Sequence, residues 1–85
     1  MMREDVRWGE AIMDELRPYI NQLGGAFTWA VYVYPDERMV VGEVSLRTIA
    51  KESYGRWSRY INELFHECFD RHFFGWQKVY KGELR

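Results

Sequence analysis

The segment Phe27-Thr28-Trp29-Ala30-Val31-Tyr32-Val33-Tyr34 alternates with a period of two, the geometry of an extended strand. Pro35-Asp36-Glu37-Arg38 follows, and a second alternating run, Met39-Val40-Val41-Gly42-Glu43-Val44-Ser45, comes after it. Proline presets a turn dihedral and aspartate bonds its own backbone, so the two runs close into a hairpin. Pairing Tyr34 with Met39 sets Val33 opposite Val40, Val31 opposite Gly42 and Trp29 opposite Val44. One face then carries Phe27, Trp29, Val31, Val33, Val40 and Val44. The other carries Tyr32, Tyr34, Met39 and Val41. A slip by one residue would mix the two sets, so the hydrophobic pattern specifies the register. The second face should be the wet one, yet it holds two tyrosines, a methionine and a valine.

The flanks read as helices. From residue 3 to 23, Val6, Met13, Leu16, Ile20 and Leu23 recur at helical spacing, with Ile12 and Tyr19 widening the stripe. Pro18 lies inside this pattern and predicts a kink or break near Arg17, because it removes a backbone donor and crowds the preceding turn. Gly24-Gly25 supplies the stop. From Leu46 to His72 the apolar positions are 46, 50, 54, 57, 61, 64 and 68, with Phe65 and Phe69 on one flank. Their phase is kept across Gly55. An unbroken helix of that length spans about 40 Å, against roughly 25 Å for an eight-residue strand. It therefore overhangs its sheet unless Gly55 breaks it. The segment 73–80 reads as a third strand whose inward face is contested between Phe74/Trp76 and Phe73/Val79.

The expected fold is α+β in the order α-β-β-α-β, a single domain over residues 1–85. It has a three-stranded antiparallel sheet of order 2-1-3, with both helices mainly on one face. The first strand takes the centre because it is the most apolar. A crossover through the long helix then brings the third strand beside it.

Composition narrows the function classes. Twelve basic and 13 acidic residues leave a net charge of −1, without the basic excess of a dedicated nucleic-acid binder. The single cysteine, Cys68, excludes an internal disulfide, and the opening MMREDVRWGE has no signal-peptide core. The longest apolar run is about half of a membrane span. These features predict a cytoplasmic chain without membrane attachment.

No catalytic or cofactor motif is present. In His66-Glu67-Cys68-Phe69-Asp70-Arg71-His72, the pairs His66/Asp70 and Cys68/His72 each share a helical face. A zinc site needs three or four ligands, and the sequence offers no second pair to complete one, so no metal is expected. The pattern is not His-Glu-x-x-His either. Cys68 continues the apolar stripe and reads as a buried hydrophobe rather than a nucleophile paired with His72. Glu10/Asp14 and Glu63/Glu67 are carboxylate pairs on polar helix faces, and no glycine pattern matches a phosphate loop. Neither a catalytic residue nor a cofactor is assigned.

Two binding readings remain. The face of Tyr32, Tyr34, Met39 and Val41, with Trp8 as a further anchor on the first helix, has the composition that protein interfaces favour. It predicts a non-enzymatic protein-protein interaction module, an inhibitor or accessory factor that masks a partner surface; self-association is a variant of the same reading. Phage-encoded blockers of host defences or host enzymes share this profile. The alternative is RNA or single-stranded nucleic acid, held by the sheet aromatics and by Arg47, Lys51, Arg56 and Arg59. The element order is faintly similar to a type II KH domain with Gly55 splitting the long helix. Ser53-Tyr54-Gly55-Arg56-Trp57 is not the Gly-x-x-Gly loop of that family, and the family is not assigned.

Overall fold

A computed structural model describes residues 3–23, 27–46 and 51–84, with side chains described for 3–22, 28–45 and 59–82. The chain folds as α1 (Val6–Ile20), a 3-10 turn Asn21–Leu23, β1 (Phe27–Tyr34), a 3-10 turn Pro35–Glu37, β2 (Met39–Leu46), α2 (Lys51–His72) and β3 (Gln77–Leu84). It is an α+β fold: a three-stranded mixed sheet with two helices on one face.

The hairpin follows the sequence. β1 and β2 are antiparallel with Tyr34 opposite Met39, Val33 opposite Val40, Val31 opposite Gly42 and Trp29 opposite Val44. Arg38 closes the turn in the left-handed conformation at φ 48°, donating its N–H to the Pro35 carbonyl.

The strand order does not follow the sequence reading. The sheet runs β1-β2-β3, not 2-1-3, and β3 is parallel to β2, so the sheet is mixed rather than antiparallel. The reason lies in how the helices share the inner face. α1 lies directly on β1: a Cβ on Gly9 would stand 2.7 Å from the Val31 carbonyl oxygen, so only glycine permits this approach. α2 covers β2 and β3 instead. With β1 already roofed, the crossover returns α2 alongside, and β3 starts beside the start of β2, where the Gln77 N–H donates to the Arg38 carbonyl at 2.8 Å. β2 is therefore central, and its Gly42 leaves room for the Phe65 ring.

Among the described residues the core is one cluster. Ile12, Leu16 and Ile20 of α1 meet Val31, Val33, Val40 and Val44 of the inner sheet face. Ile61, Phe65, Cys68 and Phe69 of α2 and Phe73 complete it. On α2 the core thus centres on Phe65 and Phe69, which sequence periodicity had put on the flank; Leu64 is only partly buried. The two rings stack with centroids 5.4 Å apart and planes 7° apart.

Three further expectations change. Pro18 does not break α1, which continues through it to Ile20. Pro18 is exposed, so the carbonyl that its missing N–H leaves free faces the solvent side. Through Gly55 α2 runs unbroken, as the kept apolar phase favours, and its 22 residues give about 33 Å against roughly 25 Å for an eight-residue strand. The helix begins at Lys51 rather than Leu46, because β2 runs through Leu46. The third strand begins at Gln77, later than read, since Phe73–Trp76 form a turn with Gly75 at φ 83°. Phe73 and Trp76 of that turn pack on the core, and Phe74 is 90% exposed. The inner side of β3 carries Lys78 and Tyr80, which stand opposite Val40 and Gly42. The expected stop at Gly24-Gly25 lies outside the described residues.

No helix among the described residues is long and apolar enough to cross a membrane.

Candidate functional sites

Among the described residues, two places gather candidate functional side chains: the outer face of the sheet, and a cleft between the helices.

On the outer face, the register stacks side chains in rows across the three strands. Tyr34, Met39 and Gln77 form one row, Tyr32, Val41 and Val79 the next, and Ala30, Glu43 and Lys81 a third. Tyr32, Tyr34, Met39 and Val79 are half-buried, and Val41, central among them, is 7% exposed. Aromatic, thioether and β-branched neighbours shield one another in this way on a pleated surface. Both helices contribute to the core on the opposite face, so no described helix covers these rows.

Trp8 does not belong to this face. Its ring packs on Phe73 at 5.3 Å and on Trp76 at 5.4 Å, committed to the core side of the molecule. Asp5 sets that position. Its carboxylate caps α1 by accepting the Trp8 N–H at 2.9 Å, and its own N–H donates to the Val33 carbonyl at 2.8 Å, pinning the helix start to β1.

Charge marks one end of the outer face. Burial and the carboxylates of Glu43 and Glu4 push the Tyr32 hydroxyl above its usual range. A dent of about 120 Å³ beside Tyr32 is lined by Thr28, Trp29, Ala30, Tyr32 and Glu43. An aromatic face beside a carboxylate suits a cation.

Of the basic group of the nucleic-acid reading, Arg59 is the one member whose side chain is described. Arg47 lies outside the described residues, as do the side chains of Lys51 and Arg56. Arg59 is exposed on α2. Because α2 packs on the inner face, the sheet separates it from Tyr32 and Tyr34.

The second place was only half legible in the sequence. Cys68 and His72 share a face of α2, as their spacing predicts, but the third member, Glu15, comes from α1. Its Oε2 accepts from the Cys68 thiol at 3.1 Å and from Arg71 at 2.6 Å, and His72 Nε2 lies 3.1 Å from both carboxylate oxygens. The hydrogen bond from Cys68 and, against the opposing effect of burial, those from His72 and Arg71 lower the Glu15 carboxyl from its ordinary 4.5 to about 2. Burial and the adjoining carboxylate push the Cys68 thiol up to about 12. A cleft of about 360 Å³ opens beside this group, lined by Glu15, Leu16, Tyr19, Leu64, Glu67, Cys68 and Arg71. The sequence signal for Glu15 was weak: it sits one residue before the core position Leu16, at the margin of the buried stripe.

On the far side of α2, His66 stacks on Tyr80 with centroids 4.0 Å apart, and Lys78 Nζ lies 3.7 Å from Asp70. These contacts fasten β3 under the helix. Comparison of the chain with family models, with curated proteins and with solved structures finds no match in any of the three.

Proposed function

We propose that this chain is a protein-docking module that acts by occupying a partner's surface, as an inhibitor or accessory factor does. The outer sheet face is its docking surface. The observation that carries the reading is the pair of rows Tyr34–Met39–Gln77 and Tyr32–Val41–Val79, an apolar and aromatic surface on which no described element packs. Tyrosine and methionine give large contact area with adaptable shape.

The occupant we favour is a protein with an apolar centre and a basic side chain. The apolar part covers Val41 and its neighbours. An arginine or lysine enters the dent beside Tyr32, over the ring and toward Glu43, in the manner of an interface anchor. Glu43 and Glu4 disfavour a phosphate at the Tyr32 hydroxyl itself, while Lys81 stands on the other side of Glu43 in its row.

Three strands of eight residues present roughly 350–400 Å², about half of the ~800 Å² that each side of a standard interface buries. The contact therefore extends past the sheet. Phe74, 90% exposed in the turn leading to Gln77, sits at the end of the sheet where Tyr34 and Met39 lie, and provides that extension.

The test uses tagged full-length chain in an extract of its native host, with Tyr32→Lys and Met39→Glu variants, and Phe74→Ser as a third. Circular dichroism confirms that each is folded. The reading expects a discrete protein retained by the wild type and lost from the first two, with retention little changed between low and high salt. Loss of fold in both variants would show that the face is core. Retention of nucleic acid that falls steeply with salt supports the alternative. A concentration-dependent dimer abolished by the same variants makes the partner a second copy.

A further inference from the structure

We infer that Glu15, Cys68 and His72 form a binding site for a zinc-class divalent metal ion, independent of the docking face. One oxygen of Glu15, Sγ of Cys68 and Nε2 of His72 all lie within 4.8 Å of one another. Oε2 of Glu15 lies 3.1 Å from Cys68 Sγ and 3.1 Å from His72 Nε2. Tetrahedral zinc with ordinary bond lengths to oxygen, nitrogen and sulfur holds its ligand atoms about 3.3–3.6 Å apart. The two contacts of the carboxylate thus need to lengthen by only a few tenths of an ångström to take in an ion, with the thiol sulfur and the imidazole nitrogen already within 4.8 Å of each other.

The scaffold suits this role. Cys68 and His72 project from successive turns of one helix, and Glu15 reaches them from the helix alongside, so two elements of the core fix the geometry. The donor set, one thiolate, one imidazole and one carboxylate, is of the borderline-soft kind that selects zinc over magnesium or calcium. Arg71 lines the same cleft and donates to Glu15 Oε2 at 2.6 Å, fixing the carboxylate as second-sphere partners fix ligating carboxylates. Glu15 and Cys68 both line the 360 Å³ cleft, which gives the ion an entry path and leaves a fourth position for water.

Binding exchanges the thiol proton for the metal. Cys68 gives up the S–H proton now directed at Glu15, a sulfur–metal bond forms, and one proton passes to solvent. Affinity therefore rises with pH.

The probe is cobalt(II) chloride, titrated into reduced, chelator-stripped full-length chain, followed by displacement with zinc chloride. The expected result is one equivalent of cobalt with intense tetrahedral ligand-field bands and a near-ultraviolet thiolate-to-cobalt band, both erased by zinc. Cys68→Ser should remove the near-ultraviolet band, and His72→Ala, a change at an exposed position, should weaken binding at least tenfold. Glu15→Gln should also weaken it. Absence of the thiolate band up to millimolar cobalt overturns the inference. So does binding that His72→Ala leaves unchanged, which would mean that the thiol takes up metal without the site.

Discussion

Gly42→Ala probes the packing on which the strand order rests. A methyl group built at Gly42 meets Phe65 at three ring atoms, at 2.7, 2.9 and 3.1 Å. Ordinary carbon contacts lie near 3.5 Å or beyond, so the ring must retreat by about 0.8 Å. It has little room to do so, because it is fully buried, stacked on Phe69 at 5.4 Å and flanked by Trp29 at 6.5 Å. Overpacking of this kind costs about 1–3 kcal/mol, and the lost chain entropy of glycine offsets about 0.4–1 kcal/mol of it. The net destabilisation is about 1–2 kcal/mol, a fall in Tm of about 4–16 °C for a domain of this size. Differential scanning calorimetry reads the shift. Phe65→Leu in the Gly42→Ala background should then cost less than Phe65→Leu alone, with a coupling of at least about 0.5 kcal/mol. A Gly42→Ala variant as stable as the wild type, or additivity in the cycle, would refute the placement of Phe65 over β2.

Two more expectations concern the helices. Gly9→Ala should destabilise despite the better helix propensity of alanine, because the new methyl would stand 2.7 Å from a backbone oxygen of β1; a lower denaturant midpoint and altered Trp8 fluorescence are expected, and a higher midpoint contradicts the contact. The Glu15 cluster makes stability acid-sensitive. Its carboxyl titrates near 2 in the folded chain against an ordinary 4.5, so its contribution is complete above about pH 4.5 and is lost as pH falls from there toward 2. Glu15→Gln should flatten that limb of the pH–stability curve, measured by chemical denaturation. An unchanged slope in the variant would show that Glu15 is not held by Cys68, Arg71 and His72.

The hairpin was legible because two constraints agreed. Alternation assigned the faces, and the Pro-Asp turn assigned the register, so all four predicted pairs stand as read. Two helices on one face followed from the stripes of α1 and α2. Strand order was not legible, because apolarity of β1 and centrality are different properties. β1 is apolar on its inner side for α1 and on its outer side for the tyrosine rows, while the central strand is marked by a glycine, Gly42, that periodicity discounts. Gly9 was passed over for the same reason: a missing side chain carries no hydrophobic signal, yet it sets the closest approach between helix and sheet. The outer rows were readable from parity alone, though Val79 joined them only once β3 was paired with β2. Glu15 could not be found by spacing, since its partners are more than fifty residues away and the crossing of two helices brings them together.

Site-specific photo-crosslinking tests the central claim most directly. A photoreactive phenylalanine analogue is placed at Met39 on the outer face and, in a separate chain, at Glu63 on the exposed side of α2, and both are irradiated in the native host. A discrete adduct with one protein from position 39 and none from position 63 is the result expected if the outer face is the docking surface. Equal labelling at both positions, or an adduct only from position 63, would contradict it.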